Sequence, residues 1–183
     1  MLIPLFEEAG ETRVVLTKRP DTMPSHSGEI AFPGGKHDPH LDADLRATAL
    51  RETEEEIGLE PAAIEVLAQL DGLATVATRF VVTPFVGVLR HRPLLTPHPW
   101  EVAAVFDVAL SELMDPDAYH GERWDVWKED LDVHFYDLPG ETIWGATARI
   151  LTSFLGLLVA GSGSGEGAAG GGGAQPRSGA GGR

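Results

Sequence analysis

The chain has 183 residues, with 28 acidic side chains against 14 basic ones, a formal charge of −14, 43% apolar residues and no cysteine. Such a chain can build the core of one domain, but it lacks the run of roughly 18 to 20 apolar residues that a membrane span needs. A disulfide scaffold, a thiolate zinc site and a cysteine nucleophile are excluded, and the negative charge opposes docking on a nucleic-acid backbone. The first residues lack a charged and then apolar leader, so the expected setting is a reducing cytoplasm.

In chain order, Leu2 to Phe6 and Arg13 to Thr17 are short and rich in Val, Leu and Ile, and predict a strand pair around a turn at EEAGE. The segment from Lys18 to His40 carries four Pro and three Gly without a sustained period, and predicts a long structured loop with one short strand at EIAF. From Asp42 or Asp44, either of which suits an N-cap, to Gly58 the chain predicts a helix with a buried stripe of Leu45, Ala49, Leu50, Thr53 and Ile57. Strands are expected at Ala63–Asp71, Phe80–Leu89, Val102–Val108 and Asp132–Tyr136, a short helix start at Ser111–Met114, and an amphipathic helix over Ile143–Val159. The foldable length predicts one domain over 1–160. The Gly-, Ala- and Ser-rich residues 161–183 are expected to be a disordered tail.

The informative stretch is RETEEEIGL, Arg51 to Leu59. On a helix, Glu52, Glu55 and Glu56 share one side. The Glu52/Glu56 pair alone costs a few tenths of a kcal/mol, about 0.3, and the helix dipole opposes anions in this C-terminal half. Arg51 can pair with Glu54 or Glu55, but one cation cannot neutralise five nearby glutamates (52, 54, 55, 56 and 60). A hard divalent cation such as Mg²⁺, which takes oxygen ligands and substrate phosphates, can. The plainer alternative is a solvated acidic helix face. Just upstream, FPGGK (Phe32 to Lys36) is a tight Gly-Gly turn that lets backbone approach a ligand closely.

Together these pieces resemble the Nudix box, G-x5-E-x7-R-E-U-x-E-E-x-G-U with U apolar. Gly35, Arg51, Glu52, Glu55, Glu56, Gly58 and Leu59 match, and Thr53 takes the place of the first U. The stretch between Gly35 and Arg51 is two residues longer than the box prescribes, which puts Ala43 where the first Glu belongs. In that family this Glu supports the Arg, and here Asp42 or Asp44 stands close by. The run from Val14 to Gly35 is also similar to the signature preceding the box in coenzyme A pyrophosphatases of the family. Leu16, Thr17, Arg19, Gly28, Phe32, Pro33, Gly34 and Gly35 are in register, while Pro20 and Pro24 replace a Ser/Ala and a second Arg. FVVTPFVG (Phe80 to Gly87) and IWGATARIL (Ile143 to Leu151) extend the likeness downstream.

The resemblance implies a Nudix α/β/α sandwich with a mixed sheet, and a Mg²⁺- or Mn²⁺-dependent diphosphatase acting on a small-molecule substrate without nucleic-acid or membrane partners. Glu52, Glu55 and Glu56 are the expected metal ligands, supported by Arg51 and by a carbonyl of Gly34 or Gly35. Glu101 is a candidate further ligand or base, and Glu29 is another. Arg19, Gly34, Gly35 and Arg79 are the candidate substrate contacts, with Lys18 a second cation in the loop. His26 is a candidate base or substrate contact, and Trp124 and Trp127 are candidate stacking platforms, although each also suits a solvated or structural position. By the same likeness the substrate is coenzyme A or a derivative, cleaved to 4′-phosphopantetheine and adenosine 3′,5′-bisphosphate. Rival readings are a Nudix diphosphatase for an ADP-sugar, a dinucleotide or a nucleoside triphosphate, and a non-catalytic nucleotide-binding module.

Overall fold

A computed structural model describes residues 1–23, 26–75, 80–126 and 129–162. The first hairpin is β1 (Leu2–Glu8) and β2 (Glu11–Lys18), joined through Ala9 and Gly10, both at positive φ, as a two-residue turn between twisted strands requires. β2 pairs along one edge with β1 and then with β3 (Ile30–Ala31). Its other edge pairs with β8 (Ala104–Ala109). β1 runs parallel to β7 (Phe85–Leu89), and β4 (Ile64–Gln69) closes that side antiparallel to β7. The sheet is therefore mixed, as expected.

β1 explains the architecture. Its apolar run has no polar alternation because both faces are covered. Leu2 and Phe6 pack in one layer with Ala49 and Ile57 of helix α1 (Leu45–Ile57). Ile3 and Leu5 pack in the other with Leu151 and Phe154 of helix α3 (Gly145–Ser162). The result is a helix-sheet-helix sandwich. A separate antiparallel sheet of β9 (Tyr119–Val126), β10 (Glu129–Leu138) and β11 (Glu141–Trp144) packs against α3 through Tyr136, whose hydroxyl lies 2.9 Å from Thr152 Oγ1. Between β8 and β9 lies the short helix α2 (Leu110–Leu113), where the sequence predicts one to start.

Several expected elements differ in detail. The run Phe80–Leu89 is two strands: β6 (Val81–Val82), paired with β5 (Leu73–Ala74), and β7. The break falls at Thr83–Pro84, where proline has no N–H for a ladder. Ile143 and Trp144 belong to β11, and the last helix begins at Gly145, whose φ of 64° suits glycine at the corner. β9 is absent from the sequence reading because its charged residues YHGERWDV mask any alternation. In α1 the buried residues are Thr48, Ala49, Thr53, Glu56 and Ile57, whereas Leu45 is 46% exposed and Leu50 half-buried. Arg79, Trp127 and the tail from 163 onward, as well as Pro24, lie outside the described residues.

Candidate active site

α1 carries the site, and both of its ends are held. Asp44 is the N-cap, its Oδ1 accepting from the Ala47 N–H at 2.8 Å, and Gly58 ends the helix in the left-handed region with its N–H on the Glu54 carbonyl. The following chain returns across this end, where the N–H groups of Thr96 and His98 donate to the carbonyls of Ile57 and Glu56 at 2.8 Å. His98 in turn accepts from Glu101 and Val102, so Glu101 is brought to the glutamate face of α1. Nothing in the residue pattern around His98 announces this return.

Arg51 organises the carboxylates. Its Nε and Nη2 donate to the two oxygens of Asp42 at 2.7 and 3.0 Å, a paired geometry that matches guanidinium to carboxylate. Nη2 also reaches Glu52 at 2.8 Å and Nη1 reaches Glu55 at 2.9 Å. The Asp42 carboxylate is almost wholly buried and also accepts from Thr48 Oγ1 and the Asp38 N–H. Its bonds to Arg51 hold its pKa far below the ordinary carboxylate range, and the same bond raises that of Arg51. Asp42, rather than Asp44, therefore occupies the supporting role left by Ala43. Thr48, not singled out by the sequence, is the buried hydroxyl that fixes it.

Glu56 is buried and accepts from the Gly34 N–H at 3.0 Å. Burial, and then the charges of Glu52 and Glu101, push its pKa up to about 7, against the opposite pull of the Gly34 N–H and Arg19. Glu52 lies against Gly35, where any Cβ would overlap its carboxylate. Gly34, at φ 142°, similarly has no room for a Cβ beside the backbone of Met1. Here the Gly-Gly turn is a steric requirement as well as a conformational one. Arg19 contributes a cation felt by Glu56, and its Nε is buried without a hydrogen-bond partner among the described residues.

The structure thus assembles Glu52, Glu56, Glu101, Arg19, Arg51, Gly34 and Gly35, with Glu55 at the exposed rim. Other candidates are engaged elsewhere. His26 Nδ1 is 2.8 Å from Glu29, and Lys18 is held by Glu141 at 2.7 and 2.9 Å. Trp124 packs beside Trp144 and Phe135 on the second sheet. A broad groove of about 960 Å³ bordered by Gly58, Ile64 and Arg90 includes none of the three glutamates. Among the described residues no three His, Asp or Glu side chains are already gathered as a metal-chelating group, and Arg51 is hydrogen-bonded to Glu52 and Glu55. The donor chemistry nonetheless fits a hard divalent ion: oxygen donors only, on one helix face, around a buried carboxylate short of compensating charge.

Fold and site together define a hydrolase of the Nudix class. The chain matches the NUDIX domain over residues 1–130, and it belongs to the Nudix hydrolase family, whose members generally use divalent metals and act on small molecules. It is 43% identical over 158 residues to Nudix hydrolase 22, chloroplastic, of Arabidopsis thaliana, covering 82% of this chain and 52% of that protein. It is 39% identical over 151 residues to the Uncharacterized Nudix hydrolase NudL of Photorhabdus laumondii, covering 82% and 79%. To the Peroxisomal coenzyme A diphosphatase NUDT7 of Mus musculus it is 36% identical over 161 residues, covering 87% and 67%. The chain spans about half the length of the first of these relatives.

Among solved structures, a MutT/nudix family protein from Enterococcus faecalis aligns with a TM-score of 0.55 at 18% identity, over 86% of this chain and 60% of that one. A Nudix hydrolase from M. smegmatis, RenU, aligns at 0.53 and 20% identity, over 62% and 71%. These likenesses concern the fold. No helix among the described residues is long and apolar enough to cross a membrane. The plant and mouse names refer to organelles, so the expectation of a cytoplasmic setting gains no support from them.

Proposed function

We propose that this Nudix hydrolase cleaves the diphosphate of coenzyme A or a derivative, giving 4′-phosphopantetheine and adenosine 3′,5′-bisphosphate. The observation that carries the reading is Arg19. It belongs to the Val14–Gly35 signature, and its buried Nε, without a partner among the described residues, stands within the field of Glu56, so a phosphate oxygen would satisfy it. The similarity to a protein named as a coenzyme A diphosphatase supports the same substrate class.

In the proposed reaction, Glu52, Glu55 and Glu56 hold Mg²⁺ or Mn²⁺, with a carbonyl of Gly34 or Gly35 as a further oxygen. When bound, the ion neutralises diphosphate oxygens and acidifies water. Arg51, clamped by Asp42, orients the carboxylates, and Arg19 binds a phosphate oxygen. Glu101, half-exposed at the rim, accepts the proton of the attacking water. Water adds to one phosphorus, the bridging P–O bond breaks, and the departing phosphate leaves with that bond's electron pair.

The test is a substrate panel of coenzyme A, dephospho-coenzyme A, ADP-ribose and a dinucleoside polyphosphate, with products identified by mass. Phosphopantetheine and the bisphosphate in equal amounts, at the highest kcat/KM of the panel, are expected from coenzyme A with Mg²⁺ or Mn²⁺. Faster hydrolysis of an ADP-sugar or dinucleotide would replace coenzyme A as the substrate. No diphosphate hydrolysis with any compound would favour a binding module.

A further inference from the structure

Helix α1 leaves one apolar residue uncovered. Leu45 opens the helix and is 46% exposed, and it faces the exposed Phe80 and Val81 across a cavity of about 420 Å³. The cavity is bounded by Met1, by Gly34–His37, by Leu45 and Thr48, and by Phe80–Thr83. Its volume is that of a small-molecule subsite. Gly34 and Gly35 form its inner wall, and these are the residues that touch Glu56 and Glu52. The cavity thus adjoins the glutamate face, the two sharing the Gly34–Gly35 turn.

We propose that this cavity is the subsite for the non-nucleotide arm of the substrate, an uncharged chain of methyl, methylene and amide groups such as the pantetheine part of coenzyme A. The inference rests on the coenzyme A reading and extends it to a place and an orientation. Its lining decides the chemistry. Leu45, Phe80, Val81 and the half-buried Val82 offer apolar surface whose coverage is favourable. Thr48 is committed to Asp42, and His37 Nδ1 is hydrogen-bonded to Thr48 at 2.8 Å. Lys36 is the one lysine or arginine on the wall, set against the several anionic oxygens of a phosphorylated nucleoside.

The test uses Leu45→Gln and Val81→Thr, which make exposed apolar side chains polar at nearly the same size, and the double variant. Unchanged thermal unfolding establishes that each is folded. KM for coenzyme A and the inhibition constant of 4′-phosphopantetheine are expected to rise, roughly fivefold for each single variant and further for the double one. The kcat and the inhibition constant of adenosine 3′,5′-bisphosphate stay at wild-type values. A rise for the bisphosphate with none for phosphopantetheine would assign the cavity to the nucleotide half and overturn the proposal. Unchanged constants for both products would move the arm elsewhere. Failure of the wild type to hydrolyse coenzyme A is a separate outcome, which removes the substrate reading and this inference with it.

Discussion

Asp42 holds Arg51 through both of its carboxylate oxygens, and Arg51 extends from that clamp to Glu52 and Glu55. The arrangement explains how a box with two extra residues and no acidic residue at the usual place still orders its glutamates. Asp42→Asn is expected to lower kcat roughly 10- to 100-fold, the range for groups that orient ligands, and to raise the Mg²⁺ concentration needed for half-maximal rate. Asp44→Asn keeps an N-cap acceptor and should leave both unchanged. Equal losses in the two variants would contradict the assignment of the support to Asp42.

Glu52→Gln and Glu56→Gln each remove a charge from the proposed metal face with little change of volume or helix propensity. Both are expected to lose most turnover at saturating Mg²⁺ while keeping the wild-type circular dichroism spectrum. Wild-type turnover in either variant would rule out a metal site on this face.

Gly35→Ala tests the close approach of Glu52 to the turn. The new methyl overlaps a carboxylate at the end of a flexible side chain, so the fold survives while Glu52 is displaced. A fall in kcat with a nearly unchanged melting temperature is expected. Full activity would mean that Glu52 need not lie against the turn.

The raised pKa of Glu56 gives a pH dependence with a definite sign. Its folded pKa, about 7, is above the ordinary 4.5, so the folded state binds more protons between those values. The metal-free protein should therefore lose stability as pH rises from about 4.5 to 7 and level off above, by an amount on the order of 3 kcal/mol from this group. In chelator, Glu56→Gln should flatten that slope and melt higher than wild type at pH 8. A slope retained in full by the variant would assign it to other groups.

Arg19→Ala removes the guanidinium whose buried Nε has no hydrogen-bond partner among the described residues. It is expected to raise KM for coenzyme A with a smaller effect on kcat, as loss of uniform binding does. If Arg19 holds the diphosphate, dephospho-coenzyme A weakens equally. If it holds the 3′-phosphate, only coenzyme A weakens. Unaltered kinetics with both substrates would remove Arg19 from the site.

The amino-acid sequence by itself determined the hairpin, the C-terminal end of α1 at Gly58 and the glutamate trio, because these depend on local periodicity, turn chemistry and spacing along one helix. It also bracketed the support for Arg51 between two aspartates. Only tertiary structure chose between them: Asp44 is consumed by the first turn of the helix, while Asp42 is buried with Thr48 where Arg51 reaches it. The proximity of Glu101 to Glu56 was likewise a tertiary matter, set by His98 and Thr96 on the end of α1. So was the exposure of Leu45, since helical spacing says which residues share a face but not how far the covering sheet extends. The pKa of Glu56 followed from burial and neighbouring charges brought in from distant segments, which spacing within the box does not contain.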